Sequence, residues 1–255
     1  MVSSSNVHKW IENHKWFEEK FAQYDMDINS LMMLEVRNAD WNEKSIKDYN
    51  NFMKYLIDRL LEKECNNNVK TLAKKIFCFR LRKEEKGLDG YIPFCFPKAD
   101  DFIGCTCANS LSIRVGDLSI IPCHRLAYNK YLYGRFILEN EEIIGIEANN
   151  PQMAIKILMT NFNEGSLKCD TCLFKNYCLK GCLGSQYETM GDPFIPNENI
   201  CNFFKEKYSF LLKYYSDLGV IDYLKQVSPL EIDYSEIKPF LIFYENWKKE
   251  NKEVI

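Results

Sequence analysis

The chain has 255 residues, 46% of them hydrophobic, which is enough for one large domain or two modest ones with a sizeable core. Its formal charge of -3 mixes 33 basic with 36 acidic residues and makes no electrostatic case for nucleic acid as a partner. No apolar run approaches the roughly 20 residues that span a bilayer, and the N-terminal MVSSSNVHKW has no apolar signal core. The expected setting is therefore the cytoplasm, a reducing compartment where clustered cysteines are more often metal ligands than disulfides.

In chain order, Val2 to Asn6 reads as a strand end running into a turn. Trp10, Ile11, His14, Trp16, Phe17, Phe21 and Tyr24 then recur near helical spacing. Leu31 to Val36 is an apolar run of strand length, followed by a turn at Arg37 to Asp40. A second helix is predicted from about Glu43 to Glu64, with Ile46, Tyr49, Phe52, Met53, Leu56, Ile57 and Leu60 on one face. This β/α/β/α order is the pattern of a parallel sheet or barrel. Asn66 to Asn68 marks a break, and residues 65 to 104 read as a linker. Residues 108 to 126 read as a hairpin turning at Gly116-Asp117. Pro151 to Phe162 reads as a helix with proline in its first turn. From Cys201 to about Leu224 runs an aromatic helical tail, in which Phe203, Phe204, Tyr208, Phe210, Tyr214 and Tyr215 read as packing residues.

The most specific signal is in the cysteines. Of 11, five fall between 169 and 201, as Cys169, Cys172, Cys178, Cys182 and Cys201, the first four spaced C-x2-C-x5-C-x3-C. Cys105, Cys107 and Cys123 form a second group at the two ends of the hairpin. Together they make two sets of four thiolates, and four thiolates hold either a [4Fe-4S] cluster or a structural zinc. Cys65 and Cys78 read more simply as small buried or surface thiols. Cys95 stays open as a replacement for Cys105 or Cys107. On a helix, Cys178 and Cys182 would share a face and could grip one cluster. His124 reads as a hairpin-end residue and Asp192 as a turn former before Pro193.

The stretch Cys107-Ala108-Asn109-Ser110 through Ile121-Pro122-Cys123-His124-Arg125-Leu126 resembles the first half of the SPASM domain. That domain is the auxiliary iron–sulfur region of radical S-adenosylmethionine (SAM) enzymes that modify peptides. The cysteines at 169, 172, 178 and 182, then Gly191-Asp192-Pro193-Phe194-Ile195-Pro196 and Cys201, resemble its second motif and closing cysteine. The chain departs from the family's usual spacing of four residues between the hairpin glycine and the next cysteine: Gly116 and Cys123 are separated by six. The resemblance implies two [4Fe-4S] clusters. It assigns Cys105, Cys107, Cys123 and Cys182 to one, and Cys169, Cys172, Cys178 and Cys201 to the other.

The family's SAM-cleaving motif, C-x3-C-x2-C, is absent from this chain. The fold expected by resemblance is α/β. Residues 1–64 would be the last two units of a partial (β/α)6 radical SAM barrel, with Val2 to Asn6 and Leu31 to Asn38 as its last strands. Residues 105–201 would be a small α+β SPASM domain, and 202–255 a C-terminal helical tail. Asn6, Glu35 and Arg37 would then lie at strand ends facing SAM or peptide, with SAM bound only in the complete enzyme and Met1 inside the barrel. The implied partners are a peptide or protein substrate, a chain supplying the rest of the barrel, and an electron donor or acceptor protein. The expected activity is that of a peptide maturase portion, inactive alone towards SAM. A zinc-binding interaction module and a small electron carrier are the competing readings of the same cysteines.

Overall fold

A computed structural model describes residues 1–26, 35–36, 39–77, 111–158, 169, 171–177, 182–227 and 234–251. Arg37, Cys78, Cys95, Cys105, Cys107 and Cys178 lie outside the described residues, as does most of the Leu31 to Val36 run. The chain divides into two units. One is Met1–Phe96 with Asn202–Ile255, and the other is Pro97–Cys201. No helix among the described residues is long and apolar enough to cross a membrane.

The first unit is built on helices. Helix α1 (Trp10–Gln23) and helix α2 (Glu43–Lys63) form where the apolar spacing predicts them. A reciprocal capping box starts α2: Ser45 N donates to Asn42 Oδ1 at 2.9 Å, and Asn42 N donates to Ser45 Oγ at 2.9 Å. Tyr49, Phe52, Met53, Leu56 and Ile57 are buried along one face of α2. Between the helices, Val2 and Glu35 form a parallel bridge, with Val36 N donating to Val2 O at 2.8 Å. Among the described residues the parallel pairing expected of Val2 to Asn6 and Leu31 to Asn38 is limited to this bridge.

The expected linker at 65–104 contains a helix, α3 (Val69–Phe77). Its Leu72, Ala73 and Ile76 are buried, and the Asn68 side chain caps it by accepting from Lys70 N and Thr71 N. The asparagine run is thus both a break and a cap, and three lysines on nine residues mask the short apolar stripe. The tail is not a single helix. Helix α6 (Glu198–Asp217) stops before Gly219, whose φ of +77° suits glycine, and α7 (Val220–Gln226) and α8 (Tyr234–Glu250) follow. Phe203, Phe204, Tyr208, Leu211, Leu212 and Tyr215 are buried along α6, which confirms the packing role of the aromatic run; Phe210 and Tyr214 are half-buried. Trp41 stacks on Phe203 with centroids 4.2 Å apart, so α6 packs against the start of α2.

His14 is a buried polar residue of α1, 7% exposed, with its ring edge-on to Phe52 and Nδ1 3.5 Å from Tyr55 Oη. Burial pushes its pKa below the ordinary value. Glu18 acts against this, and Arg59 and Lys63 add to it. The unfolded state therefore takes up the proton first, and stability falls as pH drops through the ordinary histidine range. The unfolding midpoint should fall between about pH 7.5 and about pH 5.5, and His14→Phe should flatten that slope in thermal melts. An unchanged slope in the variant would show that His14 does not set it.

The second unit holds a four-stranded antiparallel sheet in the order β1-β2-β3-β4, with β1 (Ser112–Arg114), β2 (Ser119–Ile121), β3 (Gly134–Glu139) and β4 (Glu142–Ala148). The first hairpin turns over residues 115–118, around Gly116-Asp117 as expected. At that turn the Arg114 guanidinium holds the Asp117 carboxyl well below the usual carboxylate range. The second hairpin was not expected; it turns at Asn140-Glu141, both at positive φ, a two-residue turn without glycine. Helix α4 (Pro151–Leu158) follows, begun by the proline as expected, and α5 (Leu183–Met190) rises from the cysteine segment. Ile120, Cys123, Leu126, Tyr131, Tyr133, Ile157 and Leu183 make the core of this unit. Among the described residues the architecture is thus mixed α and β, mainly helical, with one small antiparallel sheet.

Candidate metal centre

Cys123 ends the first hairpin. It is 7% exposed and lies in the core cluster with Leu183, the first residue of α5. The chain leaves Cys123 in a 3-10 turn, His124–Leu126, with Leu126 N donating to Cys123 O at 3.1 Å. His124 is exposed on that turn. Cys182 stands at the N-cap of α5, and its carbonyl accepts from Gln186 N at 2.8 Å.

Gly184 brings these two segments together. A Cβ at Gly184 would lie 2.4 Å from Arg125 Cβ and 3.1 Å from the Arg125 carbonyl, so only glycine lets the first turn of α5 approach the turn that follows Cys123. Arg125 completes the link. Its guanidinium hydrogen-bonds Glu188, with Nε 3.3 Å from Glu188 Oε1 and a second, closer contact from Nη2, and it feels the charge of the Cys182 sulfur. Burial works against the arginine's charge, but the glutamate and the sulfur hold it, raising its pKa.

Cys169 and Cys172 sit on one turn, with Cys172 N donating to Cys169 O at 3.2 Å and Lys175 N to Cys172 O at 3.0 Å. Tyr177, next in that segment, is buried, and burial pushes its phenol up to about 12. Cys201 lies in the first turns of α6, its N donating to Asn197 O at 3.1 Å. All three are half-buried. Among the described residues no three metal-ligating side chains converge, so Cys169, Cys172 and Cys201 are not gathered into one ligand set. Cys65 is buried at the end of α2, and burial raises its thiol.

Asn6 and Glu35, expected at a cofactor face, are engaged within the fold. Asn6 Oδ1 accepts from Ser3 N at 2.8 Å and Trp10 Nε1 at 2.9 Å, and Asn6 Nδ2 donates to Met1 O at 3.3 Å. Glu35 is 8% exposed, and its Oε1 accepts from Tyr49 Oη and from Lys207 Nζ, each at 2.5 Å. Burial alone would raise the Glu35 carboxyl, but the Lys207 charge and the bonds from Lys207 and Tyr49 outweigh it and hold it below its ordinary value. Lys207 is fully buried, ringed by Tyr49, Phe204 and Tyr208 at 5.5 to 5.8 Å. Sequence reasoning did not single out this ion pair. The available signals were one carboxylate inside an apolar run and one lysine inside the aromatic stripe of α6. Asp192 acts as a turn former, its Oδ1 accepting from Phe194 N at 2.8 Å.

Comparison of the chain with family models, with curated proteins and with solved structures found no match.

Proposed function

We propose that this chain is the auxiliary iron–sulfur portion of a radical SAM enzyme that modifies a ribosomally made peptide or protein. The observation that carries the reading is the approach of Cys182 to the segment beginning at Cys123, through Gly184 and Arg125. The segments that carry these two cysteines, 59 positions apart in sequence, approach each other, as an exchange of ligands between two cysteine motifs requires. The donor chemistry fits, because thiolates are the ligands of iron–sulfur clusters.

In this reading Cys123 and Cys182, with Cys105 and Cys107, would hold one cluster, and Cys169, Cys172, Cys178 and Cys201 the other. The clusters, when bound, supply one-electron transfer. The chain's own residues position them: Gly184 sets the spacing of the two segments, and Arg125, paired with Glu188, places a positive charge near Cys182. The second ligand set would be drawn together by the metal, since sites of this kind are rarely preformed without it. The SAM-cleaving function would come from elsewhere, because the chain has no C-x3-C-x2-C. The partners on this reading are the peptide, an electron-exchanging protein and a chain supplying barrel strands beside the Val2–Glu35 bridge.

Anaerobic reconstitution with iron and sulfide tests the proposal. The expected product is brown, with a broad band near about 400 nm and roughly eight iron per chain. Cys182→Ala should retain about half of that iron. The reconstituted chain should form no 5′-deoxyadenosine from SAM. A colourless protein that takes two zinc ions would replace the reading with a zinc-binding module.

A further inference from the structure

The outer edge of the sheet carries its own pattern, separate from the cysteines. Among the described residues β4 is an edge strand, and every residue of it is exposed except half-buried Gly145. Ile143, Ile144 and Ile146 are 61%, 57% and 60% exposed. No lysine or proline on β4 guards this edge against pairing with another strand.

The register fixes what each face of the edge presents. Phe136 pairs with Ile146 and Leu138 with Ile143, while a one-residue shift between Ile137 and Leu138 leaves Ile144 as the extra residue. Phe136 and Leu138 are two apart, so Ile143 and Ile146 extend the face that starts at Phe136, which packs on the core. On the opposite face, Glu147 pairs with Arg135, Gly145 with Ile137 and Glu142 with Glu139. The edge is therefore isoleucine on one face and glutamate on the other, with Glu139 and Glu141 adding acid at the hairpin tip.

We propose that the edge of β4 is a docking site for an extended peptide segment in which apolar and basic side chains alternate, added to the sheet as a fifth strand. Backbone hydrogen bonds to the unpaired edge supply affinity, and the alternation supplies register. Apolar side chains of the added strand would lie beside Ile143 and Ile146, and basic ones beside Glu142 and Glu147. Charge selects this occupant over a second copy of the chain, which would bring a further set of glutamates to a hairpin already rich in them. No cysteine lies on β3 or β4, so the inference stands whether or not the chain binds iron.

The test uses the full chain and a labelled synthetic peptide of alternating lysine and valine, about as long as β4. Fluorescence anisotropy should show saturable binding that weakens with salt. Hydrogen exchange should show new protection at residues 142–148. The pair Ile143→Lys and Ile146→Lys should weaken binding by about tenfold or more. The pair Glu142→Lys and Glu147→Lys should shift preference to a glutamate–valine peptide. These side chains are exposed, and an unchanged unfolding midpoint verifies that the variants fold. Equal affinity of the wild-type chain for the glutamate–valine peptide, or protection confined to other segments, would overturn the proposal. So would protection of β4 that grows with protein concentration in the absence of peptide, which would make a second copy the occupant.

Discussion

Lys207→Met is expected to lower the unfolding free energy by about 3–5 kcal/mol, because it strands a buried carboxylate. Glu35 has a side chain only 6% exposed, and Lys207 is its cationic partner at 2.5 Å. With the lysine gone, Tyr49 remains as a hydrogen-bond donor, which does not replace a charge. The double variant Glu35→Gln with Lys207→Met should recover most of the loss, since a buried ion pair replaced as a unit is often near neutral. Denaturant titration measures all three. The pH profile adds a second check. In the wild type the Glu35 pKa is depressed, so its contribution is present above the ordinary carboxylate value and is lost as pH falls below it. In Lys207→Met burial dominates and raises the Glu35 pKa, so stability should instead rise as pH falls towards the ordinary carboxylate value, a window above the one in which the wild type loses stability. A Lys207→Met protein as stable as the wild type would show that the pair does not bind the Val2–Glu35 bridge to α6.

Gly184→Ala is expected to cost about 1–3 kcal/mol by overpacking and to lower iron uptake on reconstitution to roughly four per chain. The cause is local. The new Cβ would stand 2.4 Å from Arg125 Cβ and 3.1 Å from backbone atoms that cannot turn away, so α5 must back off and carry Cys182 with it. Gly145→Ala is the matched control, because its Cβ would find nothing nearer than Ile137 Cδ1 at 3.7 Å. Gly145→Ala should keep both stability and iron content. If the two variants behave alike, Gly184 does not position Cys182.

Elements whose burial follows one period were legible in the sequence. The α2 stripe is three- and four-spaced and its buried face matches it, and the α6 aromatics are buried for the same reason. The first hairpin carried its glycine turn openly. The second did not: its turn is Asn140-Glu141, and β4 is exposed on both faces, so no alternation of polar and apolar residues marked it. Helix α3 was hidden by its lysines, and the break in the tail rested on one glycine, Gly219.

The sequence by itself determined the donor chemistry of the candidate centre, the helices with a clean apolar stripe, and the absence of a SAM-cleaving motif, because these depend on residue types and local spacing. Tertiary structure decided that Lys207 finds Glu35 across 172 positions and that the C-terminal helices join the N-terminal ones in one unit. It also decided that Cys182 is carried to the turn after Cys123 by a glycine without a Cβ. Such pairings are set by which faces pack, and the balance between a buried charge's desolvation and its partner's field exists only once both are enclosed.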